Sequence, residues 1–190
     1  MIRYLITDGF AARNPSLWFE NLERWIREGV DFVQIREPAL IPRELAAFVK
    51  RVCAIKSEAR VLVNDRADIA IAAGAHGVHL RDGSIQPERV RSIAARPLFI
   101  SVACHSVADA PPAAQSGADL IVLAPIFCPL SKISTRPPLG LEALRKAALS
   151  VDVPVIALGG ITPTNAGPCI EAGAAGIGGI SLFSGPAAQY

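Results

Sequence analysis

The sequence predicts a (β/α)8 TIM barrel with a shortened last unit, and three observations carry that prediction. A helix–glycine–apolar phrase occurs four times, four further short apolar runs lie between the copies, and 190 residues suit one domain. The phrase is read at Glu28-Gly29-Val30-Asp31-Phe32-Val33-Gln34-Ile35, at Ala73-Gly74-Ala75-His76-Gly77-Val78-His79-Leu80, at Ser116-Gly117-Ala118-Asp119-Leu120-Ile121-Val122-Leu123, and at Ala172-Gly173-Ala174-Ala175-Gly176-Ile177-Gly178-Gly179. In each, a glycine ends a helix in the left-handed conformation and a buried strand follows.

The remaining runs, Tyr4 to Thr7, Arg60 to Asn64, Leu98 to Val102 and Val153 to Leu158, bring the strands to eight. Between strands the apolar residues fall at helical spacing, as in Leu17-Leu22-Trp25-Ile26 and Leu45-Ala46-Val49-Val52-Cys53. Apolar strands that alternate with helices form parallel sheets covered on their faces, and eight units favour a closed barrel over an open sheet of five or six strands. About 24 residues per unit, against about 31 in a typical barrel, make the fit tight. Nine residues follow Ser181, too few for a full last helix, so the last unit is expected to be clipped and its uncovered apolar surface to seat a homodimer contact. Pro111-Pro112 and Pro137-Pro138 mark loops or helix starts, and residues 1–190 read as one domain.

Composition removes whole classes of function. Hydrophobic residues make up 51% of the chain and charged residues 19%, which excludes disorder, and about 70% of the unfolded surface is expected to be buried. A net charge of +2 gives no field for nucleic acid or an acidic membrane. No apolar run reaches the length of a membrane span and the N-terminus lacks a signal-peptide pattern, so the expected location is the cytoplasm. Cys53, Cys104, Cys128 and Cys169 are widely spaced and read as plain thiols, with Cys128 in a Pro-rich loop.

Chemistry in such a barrel belongs at the C-terminal ends of the strands. Gly159-Gly160 and Gly178-Gly179-Ile180-Ser181 sit where bare backbone N–H groups and a helix N-terminus meet a phosphate; the alternative is that they only permit tight turns. Gln34 and Arg36 alternate along one strand and share a face, and Asn64-Asp65 end the next. Arg36 offers a forked donor for phosphate and Asp65 a hard oxygen for Mg2+; the alternative is a polar layer closing the mouth by Arg–Asp pairing. Lys132, behind the loop Pro125 to Ser131, is either a solvated lysine or the cation of a closing loop. His79 and His105 read as imidazoles satisfied by backbone, and His76 as a solvated turn residue. Triads, zinc and dinucleotide motifs are not supported.

These strand-end phrases resemble the thiamine-phosphate synthase/TenI superfamily almost end to end. They are Tyr4-Leu5-Ile6-Thr7-Asp8, Val33-Gln34-Ile35-Arg36-Glu37, Asn64-Asp65-Arg66, Gly77-Val78-His79-Leu80, Gly117-Ala118-Asp119, Pro125-Ile126-Phe127 with Lys132, Ala157-Leu158-Gly159-Gly160-Ile161 and Ile180-Ser181. The resemblance implies a (β/α)8 enzyme of thiamine biosynthesis that couples hydroxymethylpyrimidine diphosphate to thiazole phosphate with release of diphosphate, using Mg2+ on phosphorylated small molecules. It implies that Gln34, Arg36, Asn64 and Lys132 contact the diphosphate or pyrimidine, with Arg36 and Lys132 catalytic. It further implies that Asp65 holds the metal, and that Gly160, Ile180 and Ser181 hold the thiazole phosphate, with Ser131 in a substrate-binding position.

The sequence also departs from that pattern. Pro38 stands where the synthase has a lysine, Ser84 where it has a second Mg2+ carboxylate, Ala103 where it has a serine, and Pro129 and Ser131 where it has threonines. Asp82 is a candidate replacement for the missing carboxylate. Ser84 is closer to the TenI side, whose catalytic histidine however falls at Pro125. Three readings therefore stand: synthase, TenI-type thiazole tautomerase, and a catalytically weak paralogue that binds thiazole phosphate.

Overall fold

The structure is a computed structural model and describes residues 1–7, 9, 15–128, 136–180 and 182. Eight parallel strands close a barrel in the order β1 to β8, each hydrogen-bonded to its neighbours and β8 to β1. They are β1 (Ile2–Ile6), β2 (Phe32–Ile35), β3 (Arg60–Asn64), β4 (Gly77–Leu80), β5 (Phe99–Cys104), β6 (Leu120–Leu123), β7 (Val155–Leu158) and β8 (Gly176–Gly179). Seven helices are described between them: α1 (Pro15–Arg27), α2 (Pro42–Cys53), α3 (Ala67–Ala72), α4 (Pro87–Ile93), α5 (Ala110–Gln115), α6 (Gly140–Leu149) and α7 (Pro163–Glu171). The C-terminal residues that the sequence reading assigned to a clipped last unit lie, apart from Leu182, outside the described residues.

The four glycine phrases explain the winding. Gly29, Gly74, Gly117 and Gly173 all have φ between +75° and +97°. Each helix ends in the same two bonds, for instance Val30 N–H to Trp25 C=O at 3.2 Å and Gly29 N–H to Ile26 C=O at 3.0 Å. That pair is the Schellman closure, which satisfies orphan carbonyls and turns the chain back into the sheet. Pro111-Pro112 sit in the first turn of α5, where the missing N–H groups cost nothing, and Pro137-Pro138 lead into α6.

Alternation along the strands divides the apolar residues into two cores. Leu5, Val33, Val61, Val78, Ile100, Ile121, Val155 and Ile177 face the helices, while Tyr4, Phe32, Leu62, Leu120, Val122 and Ile156 fill the barrel. At the N-terminal end of the strands the Arg60 guanidinium lies 4.9 Å from the Phe99 ring centroid and 6.0 Å from that of Phe32, covering the inner core.

Midway along the axis lies a polar layer. Gln34 Nε2 donates to the Tyr4 oxygen at 2.9 Å, Tyr4 Oη lies 3.1 Å from Ser101 Oγ, and Ser101 Oγ lies 2.6 Å from His79 Nδ1. All four residues are buried. Buried polar groups are tolerated when their hydrogen bonds are made, and these make theirs to one another. His79 is therefore satisfied by side chains rather than by backbone. Burial pushes its pKa down to about 4, so the imidazole is neutral at pH 7, and burial pushes the Tyr4 hydroxyl up to about 12.

Candidate active site at the barrel mouth

The C-terminal strand ends bring most of the predicted residues to one rim. Gln34 is the exception in depth: its amide is spent on Tyr4 inside the barrel. Two residues further along the same face Arg36 is exposed, its backbone N–H donating to Thr7 Oγ1 at 2.8 Å. Its guanidinium makes no hydrogen bond or ion pair among the described residues. Asn64 ends β3 beside His79 in the register of β4, and its side-chain amide is likewise unengaged among the described residues. Glu37, which the sequence reading did not single out, is buried next to Arg36, and its Oε1 accepts from the Gly9 N–H at 3.3 Å.

Asp65 adopts φ +61°, the only positive φ at a non-glycine described residue, and its N–H donates to the His79 carbonyl at 2.8 Å. Aspartate is among the few L-residues that visit this region, through its short polar side chain. Both carboxylate oxygens are engaged. Arg81 Nε donates to Oδ2 at 2.7 Å and the Ser84 hydroxyl donates to Oδ1. The turn after β4 arranges this: Ser84 N–H bonds to the Arg81 carbonyl at 3.0 Å, Gly83 takes φ +77°, and Ser84 Oγ accepts from Arg81 N–H at 3.0 Å. Partial burial works to raise the Asp65 pKa, but the Ser84 and Arg81 hydrogen bonds outweigh it and hold the carboxyl below its ordinary value.

The expected Arg–Asp pairing at the mouth thus exists, with Arg81 rather than Arg36 as the partner. Asp82, the candidate second carboxylate, points to Arg136 Nη2 at 2.6 Å and lies 3.6 Å from His105 Nε2. His105 Nδ1 lies 2.6 Å from the Ala124 carbonyl, the backbone partner expected of it. His76 is exposed, but its Nδ1 accepts from the Val61 N–H at 3.0 Å. Among the described residues no group of three or more His, Cys, Asp or Glu is placed to hold a metal ion. Mg2+ is ordinarily held by one or two carboxylates together with waters and substrate phosphates, but the Asp65 carboxylate is already neutralised by Arg81 and accepts the Ser84 hydroxyl, which leaves it a weak anchor for such an ion. As they stand, the described residues do not fit that ion.

The other side of the mouth is made of main chain. Gly159 and Gly160 have φ +96° and +65°. A Cβ on Gly160 would lie 2.4 Å from the Cys128 carbonyl oxygen, and one on Gly159 would lie 2.7 Å from Pro125 Cβ. The tight-turn alternative is therefore part of the answer, because the loop after β6 packs onto these glycines with Phe127 N–H bonded to the Gly159 carbonyl at 2.9 Å. The next step is helical: Thr162 caps α7, with its N–H bonded to Asn165 Oδ1 at 2.8 Å, and Asn165 Nδ2 donates to the Gly160 carbonyl at 2.9 Å. The Gly160 and Ile161 N–H groups donate to no acceptor among the described residues. Ile180, after the neighbouring strand β8, packs against the inner core. Ser131, Lys132 and Ser181 lie outside the described residues.

No cysteine is paired, and burial pushes the Cys104 and Cys169 thiols up to about 12 and about 11, away from nucleophilic chemistry. No helix among the described residues is long and apolar enough to cross a membrane.

A closed parallel barrel with helices between its strands, an arginine on one side of its rim and helix-capped glycines on the other, defines a protein of the (β/α)8 class. Comparison with known proteins narrows the class. The family described as thiamine monophosphate synthase matches residues 3–183, and the chain belongs to it. A thiamine-phosphate synthase of Methanoculleus marisnigri is 40% identical over 96% of this chain and 87% of its own length. One of Methanoregula boonei is 37% identical, covering 96% and 85%. Among solved structures, thiamine phosphate pyrophosphorylase of Pyrococcus furiosus superposes with a TM-score of 0.83 at 31% identity, covering 98% of this chain and 89% of that one.

Proposed function

We propose that the protein is a thiamine-phosphate synthase-type transferase acting on hydroxymethylpyrimidine diphosphate and thiazole phosphate. In the reaction the bond between the pyrimidine methylene carbon and the diphosphate oxygen breaks, diphosphate departs with the electron pair, and the thiazole nitrogen lone pair forms the new C–N bond. Such a step needs neutralisation of the departing charge and close placement of the nitrogen more than it needs a base. In this reading Arg36 and Lys132 stabilise the diphosphate, while Asn64 and Ser131 contact the first substrate and Gln34 holds the layer beneath it. The Gly160 backbone with Ile180 and Ser181 receives the thiazole phosphate.

The observation that carries the reading is the pair of unengaged side chains, Arg36 and Asn64, at adjacent strand ends of a chain that belongs to this family along residues 3–183. The Ser84–Asp65 contact favours a second reading, a TenI-type thiazole tautomerase that needs no metal, although Pro125 occupies the position of its histidine. One assay separates the readings. Purified protein is mixed with both substrates, and thiamine phosphate and diphosphate are quantified. Stoichiometric appearance of the two products is the expected result. Turnover of the carboxythiazole phosphate tautomer alone would establish the second reading, and binding of thiazole phosphate without turnover a paralogue that only binds.

A further inference from the structure

Among the residues at the mouth, Arg81 has the least expected position. It is anchored at one atom only: Nε donates to Asp65 Oδ2 at 2.7 Å, and neither terminal nitrogen has a hydrogen-bond partner among the described residues. Its side chain is 65% exposed, whereas that of Asp65 is 25% exposed, so the carboxylate forms the base and the guanidinium fork faces outward. The base is itself fixed, because Asp65 is locked by its positive φ, by the bond from its N–H to His79, and by the Ser84 hydroxyl. An arginine tethered through Nε keeps four N–H donors in a planar fork, the geometry that matches two phosphate oxygens. The strand ends that carry Arg36, Asp65 and Arg81 are consecutive, each about 5 Å from the next. Arg36 and Arg81 thus rise from strand ends about 10 Å apart, on either side of Asp65.

We infer that Arg81, held by Asp65 and Ser84, is a diphosphate-binding residue whose outward N–H donors take the place of a metal ion in this subsite. Asp65 is then a positioning residue for Arg81 rather than a metal ligand. Asp65 and Arg81 together carry no net charge, so Arg81 contributes directed donors and Arg36 the net positive charge on this side of the mouth. The inference deepens the proposed coupling reaction and rests on it for the identity of the anion as a diphosphate ester; the anion site itself is tested without it.

Titration calorimetry of inorganic diphosphate with the whole chain in EDTA is the first measurement, with thiazole phosphate as the second ligand. Wild type is expected to bind diphosphate without metal, and Arg81→Gln to weaken it roughly 10- to 100-fold while leaving thiazole phosphate unchanged. Asp65→Asn, which suits the positive φ, is expected to weaken diphosphate by about tenfold. Mn2+ alone, followed by its paramagnetic resonance, is expected to show no stoichiometric site in wild type. Saturable Mn2+ binding abolished by Asp65→Asn would overturn the inference, as would diphosphate binding that requires metal or is indifferent to Arg81→Gln. Coupling activity that proves strictly metal-dependent would overturn it and leave the proposed reaction standing. Metal-free diphosphate binding that depends on Arg81, in a protein that does not couple the substrates, would do the reverse.

Discussion

Above β2 to β5 the mouth is lined by side chains, whereas above β7 and β8 it is lined by main chain. On the first side each carboxylate of the turn after β4 and of the end of β3 is settled locally, Asp65 by Arg81 and Ser84 and Asp82 by Arg136, the polar atoms below them are held by the Tyr4–Gln34–His79–Ser101 layer, and Arg36 is the charge left over. On the second side the chain offers peptide N–H groups and fills the space behind Gly159 and Gly160 with its own loop. Side chains can be exchanged singly, so the first side can change its chemistry one substitution at a time. Main-chain geometry cannot be exchanged without moving a loop, so the second side is the conservative one.

The sharpest way to break this contrast is Gly160→Val. A Cβ 2.4 Å from the Cys128 carbonyl, on a β-branched residue at φ +65°, is expected to cost about 4 kcal/mol of stability in urea unfolding, as well as thiazole phosphate affinity. A stable Gly160→Val protein that merely binds phosphate less well would show that the backbone there is as replaceable as the side chains opposite. Lowering the pH probes the polar layer next. His79 takes up its proton at about 4 in the native state but at 6.5 in the unfolded chain, so the unfolded state binds more protons between those values. The His79 contribution is complete above about pH 6.5 and is lost as pH falls towards 4, by about 3 kcal/mol. Urea midpoints measured across that window should fall steeply in wild type and much less in His79→Gln.

Smaller effects are expected at the rim. Arg36→Ala should raise the Kd for diphosphate about tenfold in calorimetry, with stability unchanged within about 0.5 kcal/mol, since the exposed guanidinium has no described partner to lose. Equal losses for thiazole phosphate would mean one undivided anion pocket. Ser84→Ala is the mildest change, about 1 kcal/mol, and its specific sign is a rise of the Asp65 carboxyl towards its ordinary pKa, followed by carboxylate chemical shifts.

The barrel was legible because its punctuation is written in single residues: the glycines at 29, 74, 117 and 173 all take the left-handed conformation that ends a helix. Strand alternation put Gln34 and Arg36 on one face, and Gln34 does turn into the barrel, where its amide meets Tyr4. What alternation does not give is which partner a side chain finds after its strand has ended. Asp65 leaves β3 at a positive φ and Arg81 lies beyond β4, so their pairing depends on two turn conformations. A period of two carries no information about those. The nearest signal was Gly83 followed by Ser84, a turn that brings a hydroxyl back over the strand end. Gly160 shows the opposite difficulty: the ligand-binding and turn readings are both physical, and the contact with Cys128 joins two segments 32 positions apart in sequence.

Arg60 across Phe32 and Phe99 gives the barrel a floor, and Tyr4 with its partners gives it a second one above. A vessel closed at the bottom has a single doorway. Whatever small molecules this protein handles arrive and depart through the same rim, and where one lies beneath another the order of departure reverses the order of arrival. The traffic at the rim, rather than any route along the axis, then sets the kinetic order of addition and the pattern in which products inhibit.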